Sequence, residues 1–196
     1  MYDGTIIRDV DYLPGGQSKN QVRVKGPAMD IVSSEHHQAS GNIDHYRVSV
    51  HGRTELAGNH QDHQGGCVIA AAIDRRIVCD ARAASGNRIH VHSRGHEECS
   101  INLADPNWWT SRAAERHTTT SLVRGMAAQL MQHSVELRGC TLDINSDIPA
   151  GAGLSSSAAF ELCVGAALAV LSGWQVVSPE DILRGDAYVG ERCLTP

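Results

Sequence analysis

The segment Ile148-Pro149-Ala150-Gly151-Ala152-Gly153-Leu154-Ser155-Ser156-Ser157-Ala158-Ala159-Phe160 sets two glycines and three serines directly before an apolar run. Glycines let the backbone take unusual dihedrals and come close to an anion. A helix opening there supplies unpaired N–H groups and the positive end of the helix dipole. The serine hydroxyls can take phosphate oxygens or a magnesium ion. This stretch therefore reads as a phosphate-binding loop, and the chain as one that handles a nucleotide. The plain alternative is a Gly/Ser turn capping a core helix. The Pro before the turn and Ser-Ser-Ser-Ala-Ala after it favour the phosphate loop.

Lys19 and Lys25 are the only lysines, so a phosphate site beyond residue 25 must use backbone amides, hydroxyls, a metal ion or Arg. A Walker loop needs Gly-Lys-Ser/Thr and is excluded. A dinucleotide fingerprint needs a third glycine where Ser156 stands, and an acidic residue on the next strand, which is not evident.

A second dense segment runs His51-Gly52-Arg53-Thr54-Glu55-Leu56-Ala57-Gly58-Asn59-His60-Gln61-Asp62-His63-Gln64-Gly65-Gly66. Arg53, Asn59, His60 and Asp62 lie close together, framed by glycines. A polyol requires donors and acceptors in fixed directions, and carboxylate, amide and imidazole groups supply them. His60 and His63 could form half a metal site, but no further Cys/His pair at compatible spacing completes it. A polar hairpin tip without function is the other alternative.

Composition bounds the rest. A chain of 196 residues, 41% apolar and 20% charged, is an ordinary globular domain. The net charge of −5 argues against nucleic acid or a membrane surface as partner. One Phe, three Trp and four Tyr make a base-stacking platform improbable on chemistry alone. The run Leu162 to Leu171 is too short to span a bilayer. Six dispersed cysteines and no leader pattern at the N-terminus suggest free thiols in a reducing cytoplasm.

The elements that must position these residues follow from periodicity. Residues 1–44 read as a polar, variable N-terminal region with at most one short helix, and order begins at His45. Tyr46 to Val50 alternates as a strand ending at Gly52, and Cys67 to Cys79 reads as a long strand. Arg88 to His92 and Cys99 to Leu103 look like further strands of an antiparallel sheet. Thr118 to His133 carries i, i+4 apolar steps and predicts an amphipathic helix. Cys140 to Asn145 is a strand, Ser157 to Leu171 a buried helix, and Pro179 to Tyr188 a further helix with Ser178 as N-cap. Strands followed by helices indicate an α+β domain over residues 45–196.

Pro-x-Gly-x-Gly-Leu-Ser-Ser-Ser-Ala at Pro149 to Ala158 resembles the ATP motif of the GHMP kinase superfamily. The segment from Gly52 to Gly66 resembles the signature Gly-Arg-x-x-x-x-Gly-x-His-x-Asp-x-x-x-Gly of its galactokinase family, most closely a bacterial branch. The resemblance spans about residues 45 to 192. It implies the GHMP kinase N-terminal fold, a mixed or antiparallel sheet packed with helices. It implies ATP and Mg2+ as cofactor and metal, galactose as substrate, and a cytoplasmic enzyme that is monomeric at full length.

By the same resemblance, Arg53 corresponds to the arginine that stabilises the transition state. Asn59, His60 and Asp62 correspond to sugar-binding positions, with Glu in many members where Asn59 stands. Gly151, Ala152, Gly153, Leu154, Ser155, Ser156 and Ser157 correspond to the ATP loop, and Ser157 to a magnesium ligand. The implied reaction is transfer of the ATP γ-phosphoryl group to galactose, giving galactose 1-phosphate.

The family's catalytic aspartate sits in Cys-Gly-Ile/Leu-Met-Asp-Gln. This sequence approaches that segment at Tyr188 to Cys193 and then reads Leu194-Thr195-Pro196. The second magnesium ligand falls at Gly185, with Asp186 one position away. The expectation is a truncated galactokinase that lacks its base and C-terminal domain and has little activity alone. A non-catalytic sugar- and ATP-responsive sensor is the alternative, as is a kinase for a related sugar such as N-acetylgalactosamine.

Overall fold

The computed structural model of the chain describes residues 23–25, 29–33, 44–57 and 69–174. Its strands are β1 (Arg23–Lys25), β2 (Met29–Ser33), β3 (His45–Ala57), β4 (Ile69–Ala83), β5 (Arg88–Ser93), β6 (Cys99–Asn102) and β7 (Cys140–Ser146). Its helices are α1 (Thr119–Gln132) and α2 (Ser156–Leu171). The strands form one 7-stranded sheet in the order β1-β2-β3-β4-β7-β5-β6. All neighbours are antiparallel except β5 and β7, which run parallel with Val91 opposite Leu142. The sheet is therefore mixed, and the domain is α+β.

Alternation sets the two faces of the sheet. Tyr46, Val48 and Val50 of β3, Ile77, Cys79 and Ala81 of β4, and Leu142 and Ile144 of β7 are buried. Their neighbours Arg47, Asp80, Arg82 and Asp143 point the other way and pair across strands. α2 lies on β3 and β4, and α1 packs beside it. Residues Ala159 to Leu171 of α2 are all buried, which explains why its sequence shows no polar face. Small residues such as Ala166, Ala167 and Ala169, fully buried, let this helix sit close to the sheet.

Two expectations about the strands are corrected. Order does not begin at His45. β1 and β2 pair with each other, β2 pairs with β3 from Met29–Val50 to Ser33–Tyr46, and Met29 and Ile31 are fully buried. These strands are too short to display a period, and β2 owes its place to a partner distant in sequence. Nor does β3 end at Gly52; it continues to Ala57 against Ile69. The expected helix over Pro179 to Tyr188 lies outside the described residues.

The connection between β6 and α1 is held by one buried ion pair. Arg124 donates from Nε and Nη2 to both oxygens of Glu115 at 2.7 Å each, and from Nη1 to the Trp108 carbonyl. Its side chain is 3% exposed and that of Glu115 is 19% exposed. Arg112 also reaches Glu115 and Asp105. The next residues start α1, with Thr118 Oγ1 accepting from Ser121 N at 3.3 Å as N-cap. Cys79, Cys99, Cys140 and Cys163 are free, buried thiols. Burial pushes Cys140 up to about 12, which leaves it inert as a nucleophile at neutral pH.

Arg47 makes a fork to Asp80 of similar form, at 2.9 Å for both bonds, but with the Arg side chain 64% exposed. Burial should therefore separate two pairs that geometry does not. Arg124→Ala is expected to lower unfolding free energy by about 3 kcal/mol, because it leaves the half-buried Glu115 with only the longer contact to the exposed Arg112 and the Trp108 carbonyl without its donor. Arg47→Ala is expected to cost about 1 kcal/mol or less. Urea denaturation of both variants checks this, and equal losses would refute the role assigned to burial.

Candidate active site

The glycine loop is anchored before it begins. Where β7 ends, Asp147 N donates to the Arg76 carbonyl at 3.1 Å, and Arg76 N donates back to Asp147 Oδ1. Ile148 N donates to Ser146 Oγ at 3.2 Å, and the Ile148 side chain is buried. This pins the entry of the loop to the middle of β4, and residues 149–153 are exposed.

Within the loop, Gly151, Gly153 and Ser155 have φ of 71°, 70° and 58°. Ala152 and Leu154 between them do not have positive φ. Alternation of this kind turns successive N–H groups toward one side and makes a concavity for an anion. Gly151 and Gly153 adopt this conformation without strain, and nothing lies within 4 Å of a Cβ built on either. Ser155 carries a real cost of about 1–2 kcal/mol as a left-handed non-glycine residue. It is the N-cap of α2, yet no side chain caps the helix. The first amides of α2 are thus left for a ligand, with the positive end of a 16-residue helix behind them. Ser157 is exposed at this end, while Ser155 and Ser156 are half-buried.

The loop docks on β3 at one point. Arg53 N donates to the Leu154 carbonyl at 3.2 Å. A Cβ on the adjacent Gly52 would lie 2.9 Å from Leu154 O, 3.0 Å from Ile148 Cδ1 and 3.2 Å from Ile73 Cδ1. Gly52 is therefore not a strand terminator. It is the place where the absence of a side chain lets the loop touch the strand. The register shifts there, from His51–Arg76 to Arg53–Ala72, so β4 bulges around the contact. His51 Nδ1 donates to the Ile73 carbonyl at 2.9 Å and steadies the bulge.

Arg53 is brought directly beside the glycine loop, and its side chain is 43% exposed. Its Nη1 donates to Glu55 Oε1 at 2.7 Å. Glu55 was not singled out from the sequence, although the period of a strand places residues 53 and 55 on one face. Asp147 and Arg76 were missed as well, since their pairing joins distant strands. Asn59, His60 and Asp62 lie outside the described residues.

Among the described residues no group of three or more His, Cys, Asp or Glu could hold a metal ion. The Ser157 hydroxyl is an oxygen donor of the kind Mg2+ takes, while the loop amides suit phosphate oxygens that would carry most of such an ion. No helix among the described residues is long and apolar enough to cross a membrane.

The galactokinase galactose-binding signature matches residues 34–83, and the GHMP kinases N terminal domain matches residues 121–194. Galactokinase of Chloroflexus aurantiacus is 33% identical over 149 residues, covering 72% of this chain and 36% of that protein. Galactokinase of Roseiflexus sp. is 31% identical over 162 residues, covering 80% of this chain and 40% of that one. The chain thus spans well under half the length of the curated relatives it matches.

Among solved structures, Lactococcus lactis galactokinase complexed with galactose superposes with a TM-score of 0.63 at 26% identity. The match covers 76% of this chain and 37% of that one. Methanococcus jannaschii mevalonate kinase, at 16% identity and a TM-score of 0.63, shares the fold, over 81% of this chain and 48% of its own. The galactose-binding signature, the GHMP kinases N terminal domain and the curated galactokinases at 31% and 33% identity together place this chain in the galactokinase family of the GHMP kinases.

Proposed function

We propose that this chain supplies the ATP- and galactose-binding wall of a galactokinase, which transfers the γ-phosphoryl group of ATP to galactose. The observation that carries this reading is the hydrogen bond from Arg53 N to Leu154 O. It ties the strand entering the sugar signature to the loop that would hold the nucleotide, so donor and acceptor meet at one place.

Phosphoryl transfer needs positioning and charge stabilisation more than covalent chemistry from the protein. The amides of residues 151–157 and the hydroxyl of Ser157 hold the nucleotide phosphates. Mg2+, when bound with ATP, neutralises part of their charge. Arg53 offers guanidinium donors to the transferring group. Asn59, His60 and Asp62 orient the sugar through its hydroxyls. On this reading residues 45–196 form the catalytic N-terminal domain, with β1 and β2 completing its sheet. The enzyme works in the cytoplasm, as a monomer at full length, and takes no nucleic acid.

Calorimetric titration of the chain with galactose and with ATP-Mg2+ tests the reading, beside a coupled ADP-release assay over a panel of sugars. Both ligands are expected to bind. Absence of galactose binding would sink the sugar assignment. Binding without turnover would favour the sensor alternative for this chain, and a preference for N-acetylgalactosamine would move the substrate.

Asp62→Ala is expected to weaken galactose at least about tenfold, or roughly 1.4 kcal/mol, and leave ATP untouched. Gly52→Ala should do the converse. Its methyl group would push Leu154 and Ile148 away from β3, a strain of about 1–3 kcal/mol, and weaken ATP about tenfold or more. If Gly52→Ala bound ATP like the wild type, the loop would not depend on its docking to β3.

A further inference from the structure

Glu55 takes no part in the mechanism above, and its surroundings give it one. Arg53 and Glu55 are two residues apart on β3 and share a face. Opposite them on β4 stand Ala72 and Ala70, so only methyl groups flank the pair on that side. The contact is a single bond from Arg53 Nη1 to Glu55 Oε1 at 2.7 Å. The other Arg53 side-chain donors make no hydrogen bond among the described residues. Glu55 Oε2 is shielded from solvent and has no hydrogen-bond partner among the described residues.

A bond to one nitrogen fixes the direction of a guanidinium and leaves most of its five donors open. Arg is also a long side chain with considerable rotamer freedom, which would otherwise be lost when it engages a ligand. A pair with the Arg side chain 43% exposed contributes little to folding. A carboxylate that aims the arginine is therefore better explained by the site than by stability.

Resting on the galactokinase reading, we propose that Glu55 is the positioning residue for Arg53. It holds the guanidinium beside the glycine loop, leaves its remaining donors for the transferring phosphoryl group, and offsets part of its charge before transfer. The two effects separate ground state from transition state. Without the carboxylate, Arg53 keeps its full charge but loses its aim. ATP should then bind as well as before or more tightly, while transfer slows. A merely structural role would weaken both.

The test uses the 196-residue chain with Glu55→Gln, which keeps the shape and one acceptor oxygen, and Glu55→Ala. Nitrogen-resolved NMR of the Arg53 guanidinium, assigned with Arg53→Lys, reads the pair directly. Separate, slowly exchanging Nη signals are expected in the wild type and averaged ones in Glu55→Ala. ATP titrations should give dissociation constants equal to or below that of the wild type for both variants. In the ADP-release assay the turnover that the wild-type chain retains should fall about 10- to 100-fold in both variants, with the ATP KM unchanged or lower.

Identical guanidinium signals in the wild type and Glu55→Ala overturn the proposal. So does weaker ATP binding by Glu55→Gln at an unchanged melting temperature. A wild-type chain that binds neither galactose nor ATP counts against the galactokinase reading instead, and the guanidinium resonances then decide the role of Glu55.

Discussion

Everything that could act on a nucleotide in this domain depends on the contact between Gly52 and Leu154. Two backbones approach there more closely than any side chain would allow, and one hydrogen bond from Arg53 N closes the contact. The loop is held from two sides, by Asp147 on β4 and by Leu154 on β3. Between those anchors its φ angles alternate in sign, the pattern that makes a concavity for an anion. A loop held at both ends keeps that shape before any ligand arrives, so less ordering is required on binding.

The sheet order explains how distant segments meet. β4 lies between β3 and β7, so the strand carrying Arg53 and the strand that launches the glycine loop flank the same neighbour. The bulge in β4 absorbs the crowding where all three come together. α2 then leaves the loop and runs back over β3 and β4, burying thirteen consecutive residues from Ala159 to Leu171. The hydrophobic burial of this helix and the geometry of its uncapped start are two ends of one element. The fold is stabilised at the far end, and the near end is left for chemistry.

Much of this was legible in the residues themselves. Among the described residues, α1 and five of the seven strands follow from apolar patterning, because burial of one face imposes a period on the sequence, while α2 was legible from its length and its near lack of charge. The glycine loop was legible because few arrangements require two glycines and three serines before an apolar helix. The short strands β1 and β2 were not, since three and five residues carry no usable period. Gly52 misled for a definite reason. Glycine ends a strand or permits a close approach, and the two uses have the same local signature.

Arg53, Asn59, His60, Asp62 and residues 151–157 could be named as candidates from residue type and spacing, because polyols and phosphates need particular donors and acceptors wherever the chain places them. The residue types also settled what the loop cannot use, since no lysine follows Lys25. What the sequence could not decide is which groups touch. The alignment of Arg53 with Leu154, the parallel pairing of β5 and β7, the anchoring of the loop by Arg76 and Asp147, and the buried Arg124–Glu115 pair all join residues separated by other elements. Such contacts arise only when burial of several elements is satisfied at once, and so they belong to the tertiary structure. Even Arg53 and Glu55, two residues apart, have a shared role only because the strand continues past Gly52 to hold them on one face.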